Sequence, residues 1–326
     1  MQTIKHIGVL TSGGDAPGMN AAVRAVVRMG IFNDLAVSGI YHGFHGLIND
    51  EVEPLNLRSV GKVISLGGTF LKSSRCEAFR TKEGRIIAAN HLIKHGIDAL
   101  IIIGGDGSMR GASLLSEEHG FPVVGIPGTI DNDIFGTDYT IGFDTAVNVA
   151  LDAIDKIRDT ATSHDRLFFV EVMGRDTGHI ALRTAVASGA IAVLMPESPM
   201  SVDGLYERLR ALKARNKTSS VVIVAEGNPT GNAFEVAEKL KELTDDYETR
   251  ITVLGHIQRG GSPTANDRVL AAELGAFAVE CLLSGTHNVM VGVQNKSLLT
   301  TDLQDATNQK AGFNQELYRI SDILSR

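Results

Sequence analysis

Short runs of branched apolar residues recur along the chain, each closed by a polar segment rich in glycine. The first is Ile7-Gly8-Val9-Leu10; others cover 36–41, 99–103 (Ala-Leu-Ile-Ile-Ile) and 123–126 (Val-Val-Gly-Ile). Runs this short and this branched read as strands buried on both faces, the pattern of a parallel sheet. Between them lie segments with helical spacing, one over 19–29 and one between 103 and 123. A long helical pattern follows over about 144–160, and a second series begins. It reads strand 167–172, helix 178–188, strand 192–194, helix 202–214, strand 220–225, helix 233–244, strand 251–254 and a helix over about 264–283. Strands spaced by helices imply βαβ units, so the class is α/β with mainly parallel sheets. No linker rich in Pro, Ser or charge separates the two series, so any domain boundary is a tight crossover, crossed more than once.

Length and composition sharpen this only a little. A chain of 326 residues suggests about two domains. With 43% apolar and 21% charged residues it can build a large core. A net charge of −7 argues against nucleic acid or an anionic membrane as partner, and a phosphorylated substrate would need a local basic cluster. No apolar stretch approaches the ~20 residues of a membrane span, and the first residues lack a signal-peptide core. Cys76 and Cys281 make neither a disulfide framework nor a metal pattern, which suits reduced thiols in a cytosolic protein.

The chemistry concentrates after strands. Gly104-Gly105-Asp106-Gly107-Ser108 follows one apolar run, and Pro127-Gly128-Thr129-Ile130-Asp131-Asn132-Asp133 follows the next. Both loops should emerge at the carboxyl ends of adjacent strands, where open α/β sheets bind ligands. Backbone N–H groups at a helix start attract phosphate, and carboxylates hold Mg²⁺ or take a proton. Together they describe a site for phosphoryl transfer. Gly105 and Gly107 let a polyphosphate approach, Asp106 is placed as a Mg²⁺ ligand, and Ser108 is a candidate cap for the next helix. Asp131 and Asp133 suit a proton acceptor and a carboxylate that orients or supports the metal. Gly13 and Gly14, after the first strand, read equally as a phosphate loop or an ordinary βα turn. Arg24 and Arg28 read as a solvated stripe or an anion site. In the second series Arg166 and Arg250 precede strands, Met173-Gly174-Arg175 and Glu226 follow them, and Gly255-His256-Ile257-Gln258-Arg259-Gly260-Gly261 follows another. Arginine forks grip phosphate bidentately. The segment 67–73 lacks the glycine before lysine of a Walker A loop, and no G-x-G-x-x-G, H-E-x-x-H or G-x-S-x-G is present.

On these residues the chain resembles the bacterial-type ATP-dependent 6-phosphofructokinases. The matching segments are Leu10 through Asn20, Gly67-Gly68-Thr69, Gly104 through Ser108, Pro127 through Asp133, Val172 through Arg175 and Gly255 through Pro263. The resemblance implies two Rossmann-like three-layer α/β/α domains with the active site between them. A larger ATP-binding domain would take 1–141 and 257–307; a smaller fructose 6-phosphate-binding domain would take 142–256 and 308–326. It implies transfer of the γ-phosphoryl of MgATP to the 1-hydroxyl of fructose 6-phosphate by a cytoplasmic homotetramer. Asp131 would be the base, aided by Asp133, Thr129 and Arg175, with Asp106 on Mg²⁺. Gly14, Arg75, Cys76, Gly105, Asp106, Gly107 and Ser108 would hold the nucleotide. Thr129, Ile130, Asp131, Met173, Gly174, Arg175, Glu226, His256, Ile257, Gln258 and Arg259 would hold the sugar phosphate, with Arg166 and Arg250 from a neighbouring subunit. Pyrophosphate-using relatives carry a second aspartate where this chain has Gly107 and a lysine where it has Gly128. Glycine leaves room for a nucleotide there, which favours ATP over the alternative, a pyrophosphate-dependent phosphofructokinase. Arg24, Arg28, Arg158 and Lys217 match basic effector-site positions. Leu57 and Ile191 depart from that pattern, replacing an arginine and a metal-holding glutamate.

Overall fold

A computed structural model describes residues 4–161, 166–215 and 220–325. In chain order the first elements are β1 (His6–Ser12), α1 (Met19–Phe32), β2 (Ala36–Ile40), α2 (Gly43–Ile48), β3 (Val52–Pro54), α3 (Lys82–Lys94), β4 (Ala99–Gly104), α4 (Asp106–His119), β5 (Val123–Thr129), β6 (Ile141–Gly142) and α5 (Phe143–Ala161). Then come β7 (Arg166–Val172), α6 (His179–Ser188), β8 (Ala192–Leu194), α7 (Val202–Lys213), β9 (Ser220–Ala225), α8 (Ala233–Leu243) and β10 (Glu248–Val253). The chain closes with α9 (Ala265–Leu283), β11 (Val289–Gln294), β12 (Ser297–Asp302), α10 (Leu303–Asn308) and α11 (Gln315–Leu324). Two compact units result: Met1–Thr145 with Arg259–Ala311, and Ala146–Gln258 with Gly312–Arg326.

The first unit is built on a mixed sheet in the order β12-β11-β5-β4-β1-β2-β3, with β6 branching from β5. Its central strands β2, β1, β4, β5 and β11 are parallel; β3 and β12 run antiparallel at the edges. Alternation along the strands assigns the two faces. Leu10, Ile40, Leu100 and Ile102 pack with Phe44 and Leu47 of α2, Ala88 and Leu92 of α3, Met109 and Leu115 of α4 and Leu303 of α10. The alternate residues face α1: a Cβ on Gly30 would lie 3.2 Å from Ile7 Cδ1, and one on Gly128 3.2 Å from Met19 Cε. Helix α9 lies against α1, where a Cβ on Gly275 would sit 2.6 Å from that of Ala25. Fully burying each such aliphatic side chain contributes about 1.5–3 kcal/mol.

The second unit has an all-parallel sheet, β10-β7-β9-β8. Leu167, Phe169, Leu194, Val222 and Val224 pack with Leu205, Leu209 and Leu212 of α7 and Val236 and Leu240 of α8. Serine and asparagine start the two helices: Ser201 Oγ accepts from Gly204 N, and Asn232 with Glu235 forms a capping box.

Three local expectations are corrected. β5 continues through Pro127-Gly128-Thr129, so the aspartate loop starts at Ile130. Arg250 lies inside β10 and Arg166 opens β7, so neither precedes its strand. Ser108 does not cap α4: that helix already starts at Asp106, with Gly105 at the cap position and no side-chain cap bond. Parallel pairing to neighbours extends each of these strands beyond its apolar run.

Candidate active site

In the first unit, sheet register sets three loops abreast. Ser12 of β1 pairs with Gly104 of β4, and Gly104 with Pro127 of β5. Three parallel strands therefore finish together at one edge. Ser12-Gly13-Gly14-Asp15 leaves from the first, Gly105-Asp106-Gly107-Ser108 from the second and Ile130-Asp131-Asn132-Asp133 from the third. Gly13 (φ 85°) makes the reversal a side chain would oppose. Close approach fixes Gly104, where a Cβ would lie 2.4 Å from Ser108 Oγ and 2.5 Å from Ser12 O. Helix α4 then opens at Asp106, so its positive end and a carboxylate share this edge.

The two donor-choice glycines differ. A Cβ on Gly107 would meet nothing within 4 Å, so that side of the helix start is open. One on Gly128 would crowd Ile103 Cγ2 at 3.1 Å and Met19 Cε at 3.2 Å. Gly128 is therefore a packing glycine between β4 and α1, and the expectation that it leaves room for a nucleotide is corrected.

Organisers that sequence reasoning missed hold the segment after Leu66 over the β1 loop. Asn20 Nδ2 donates to Leu66 O (3.1 Å) and Gly67 O (3.2 Å), while its Oδ1 accepts from Phe70 N at 2.8 Å. Thr11 Oγ1 donates to Lys72 O at 2.9 Å and lies 2.8 Å from Thr69 Oγ1; Ser73 Oγ donates to Gly13 O at 2.7 Å. These bonds bring Arg75, exposed, and Cys76, a free half-buried thiol, to the edge where β1 ends. Arg259 belongs to the same edge. Its Nη1 donates to Asp15 O (3.3 Å), and a Cβ on Gly14 would lie 2.7 Å from that nitrogen. The arginine expected on the sugar phosphate thus rests on the loop expected to hold nucleotide.

The aspartate loop is shaped by its neutral polar neighbours. Thr129 Oγ1 accepts from Asp131 N at 3.2 Å, Thr140 Oγ1 donates to Thr129 O at 2.6 Å, and Asn132 Oδ1 accepts from Thr140 N at 2.7 Å. Asn132 takes the left-handed conformation (φ 53°), which asparagine tolerates. Thr129 and Asp131 are buried and Asp133 is half-buried. Ile130 is wholly buried, so only its backbone can meet a substrate. Behind the loop Asp267 accepts from Gly142 N (2.9 Å), Thr145 N (2.8 Å) and Thr145 Oγ1 (2.5 Å). Burial pushes its carboxyl above the usual range, and those hydrogen bonds oppose the shift. No sequence motif marks it.

In the second unit, β10, β7 and β9 are parallel neighbours: Glu171 pairs with Val253 and Val172 with Ala225. Met173-Gly174-Arg175, Glu226 and His256 accordingly emerge at one carboxyl edge. Arg175 is left-handed (φ 54°) and follows Gly174 at φ 149°. Glu226 Oε2 accepts from Arg175 N at 3.2 Å. A Cβ on Gly227 would lie 2.3 Å from Arg175 O, so only glycine fits beneath the turn. His256 is exposed and Ile257 is 59% exposed, whereas Gln258 is wholly buried. Arg166 and Arg250 lie away from this edge. Arg166 is six residues before Val172, about 20 Å along the strand. Both engage Glu248: Arg166 Nε at 3.1 Å, and Arg250 Nη2 by a shorter contact.

The candidate effector residues divide between the units. Arg24 and Arg28 lie on α1, half-buried and exposed. Arg158 on α5 donates to Ser188 O. Lys217 lies outside the described residues. Leu57 is half-exposed, but Ile191 is 1% exposed and packs with Leu205 and Leu209. The side chain that stands in place of the metal-holding glutamate is therefore part of the core of the second unit. The Ile191 carbonyl accepts from Arg208 Nη1 at 3.1 Å, and Arg208 also pairs with Asp322.

Comparison with known proteins adds the family. The phosphofructokinase family model matches residues 6–282. The chain is 55% identical over 322 residues to the ATP-dependent 6-phosphofructokinase of Bacillus licheniformis, covering 99% of this chain and all of that one. It is 51% identical over 325 residues to ATP-dependent 6-phosphofructokinase 2 of Bacteroides thetaiotaomicron, covering all of both. Among solved structures it superposes on phosphofructokinase from Saccharomyces cerevisiae with a TM-score of 0.89 and 35% identity, over 98% of this chain and 48% of the yeast one. Among the described residues no helix is long and apolar enough to cross a membrane.

Proposed function

The chain belongs to the phosphofructokinase family, and we propose that it transfers the γ-phosphoryl of ATP to the 1-hydroxyl of fructose 6-phosphate, yielding ADP and fructose 1,6-bisphosphate. The observation that carries this is the common finish of β1, β4 and β5, which sets Gly14, Asp106 and Asp131 on one edge. Phosphoryl transfer proceeds through a loose transition state, so positioning and charge neutralisation supply most of the catalysis. The nucleotide is assigned to residues 1–141 and 257–307, and the sugar phosphate to 142–256 and 308–326.

Asp131 takes the proton of the 1-hydroxyl as the new P–O bond forms, held in place by the Thr129 and Asn132 hydrogen bonds. Asp133 and Thr129 orient the acceptor. Gly105, Gly107, Ser108 and the Gly13-Gly14 turn lie along the phosphates. Asp106, a single carboxylate at the start of α4, fits Mg²⁺, which takes one or two carboxylates and fills its shell with phosphate oxygens and water. Bound there, the ion would neutralise charge on the transferred group. Arg175 and His256 supply donors to the sugar phosphate, with Arg166 and Arg250 reaching it from a neighbouring chain of a homotetramer in the cytoplasm. Arg24, Arg28, Arg158 and Lys217 form the effector set.

Open space at Gly107 supports ATP over pyrophosphate as donor. A coupled assay of the purified protein with fructose 6-phosphate and either donor tests the reading. Turnover with ATP and Mg²⁺ is expected; turnover with pyrophosphate alone would overturn it.

A further inference from the structure

On the phosphofructokinase reading above, we propose that Gln258 is a positioning residue for Arg175, acting through the Met173-Gly174-Arg175 turn without touching the sugar phosphate. Gln258 sits in the Gly255–Arg259 turn between two residues expected to meet substrate, yet its own exposure is 0%. Its side chain is directed into the protein, where Oε1 accepts from the backbone N–H of Met173 at 2.8 Å. A backbone N–H can only donate, so the amide must present oxygen there and turn Nε2 away. That Nε2 is buried with no hydrogen-bond partner among the described residues.

An unsatisfied buried donor is costly, and such groups concentrate where function compensates. Methionine or leucine would fill the same volume without that cost. Neither could accept from Met173. The turn needs the anchor, because Arg175 holds a left-handed conformation that non-glycine residues adopt only when their surroundings impose it. Glu226 holds the far end by accepting from Arg175 N, and Thr177 N closes the turn onto Gly174 O at 2.9 Å. Gln258 holds the near end, at the first residue after β7. With that end released, the turn can relax toward ordinary backbone angles, and the guanidinium of Arg175 leaves the place from which it meets a phosphate.

Gln258→Met conserves volume and removes the acceptor. The expected result is a rise of roughly tenfold in KM for fructose 6-phosphate, equivalent to about 1.4 kcal/mol. KM for ATP should stay within about twofold, with kcat much less affected than KM. Combined with Arg175→Ala, Gln258→Met should add nothing further, because both act on the same contact. Gln258→Glu keeps an oxygen facing Met173 and should retain most of the wild-type KM. Gln258→Leu, which also lacks the acceptor, carries the test if the methionine variant does not fold, and should raise that KM in the same way. Additive effects with Arg175→Ala would mean that Gln258 acts independently of the turn, and would overturn the inference. So would equal rises in both KM values, or an unchanged KM in a folded Gln258→Met enzyme. A wild-type protein unable to phosphorylate fructose 6-phosphate would overturn the functional reading itself, and this inference with it.

Discussion

Gly107→Asp separates the steric and electrostatic demands of the nucleotide from those of the fold. Gly107 is exposed, the second residue of α4, and an added Cβ would meet no atom within 4 Å. Replacing a helical glycine stabilises by roughly 0.5–1 kcal/mol, and a carboxylate in the first turn of a helix gains about 0.3–1 kcal/mol from the macrodipole. The variant should therefore be at least as stable as the parent. Its carboxylate would nevertheless enter the space assigned to the ATP phosphates. One like-charge pair at roughly 5 Å, in an effective dielectric of about 20, costs about 3 kcal/mol. Screening by bound Mg²⁺ reduces this, so KM for ATP should rise about ten- to a hundredfold while KM for fructose 6-phosphate changes little. Gly107→Ala, which adds bulk without charge, should move KM for ATP far less. Gly128→Ala should behave in the opposite way: its Cβ enters packing at 3.1 Å from Ile103 and 3.2 Å from Met19, which lowers stability by about 1–3 kcal/mol. Thermal melts and steady-state kinetics on the three variants provide the check. A Gly107→Asp enzyme with a lowered Tm, or with KM for ATP within threefold of wild type, would refute the placement of nucleotide at the start of α4.

Other substitutions divide the remaining roles. Asp131→Ser should lower kcat about 10²–10⁴-fold with little change in KM for fructose 6-phosphate, since proton acceptance matters only in the transition state; a fall of less than tenfold removes Asp131 as the base. Arg166→Ala and Arg250→Ala should each raise KM for fructose 6-phosphate more than KM for ATP, by about 1.5–3 kcal/mol for a lost charge-assisted contact. If sites are shared between subunits as proposed, hybrids of Asp131→Ser and Arg250→Ala chains should recover activity, and verified hybrids without activity would exclude such sharing. MgADP should activate weakly or not at all, because Ile191 offers its carbonyl to Arg208 and no side-chain ligand to a metal. A tenfold leftward shift of fructose 6-phosphate saturation with sub-millimolar MgADP, about 1.4 kcal/mol of coupling, would contradict that.

The central strands could be read in the sequence because burial on both faces leaves near-continuous apolar runs. In the second unit even the edge strands β8 and β10 could be read, but the outer elements of the first unit could not. Helix α3 points Ile86, Ile87 and Ile93 outward, at 49%, 43% and 70% exposure, and turns Arg85 inward. That arginine is tolerated because Glu118 pairs with it at 2.6 and 2.7 Å. Apolar spacing therefore misreports its buried face. The β11–β12 hairpin turns on Asn295 (φ 48°) and Lys296 (φ 66°), two consecutive left-handed residues. The usual sequence signal for such a turn carries glycine at the second position, and lysine hides it.

The site shows the same limit at finer scale. Loops after strands carry the carboxylates, and parallel register makes those loops converge, so their residues could be named from the chain alone. Direction could not. In one five-residue turn, apolar Ile257 is 59% exposed while polar Gln258 is wholly buried, the reverse of what hydropathy assigns. Two glycines that share an explanation in sequence part in structure, Gly107 beside open space and Gly128 beneath a packed methionine. Thr11 and Asn20 lie inside the matching segment Leu10 through Asn20, yet their identity does not reveal their task, which is to hold the backbone between Leu66 and Lys72. Asp267, which braces Gly142 and Thr145, lies in no matching segment. Sequence thus specifies which groups reach the edge of the sheet. Whether a given group faces the substrate or braces a neighbour is decided by hydrogen bonds such as Gln258 to Met173.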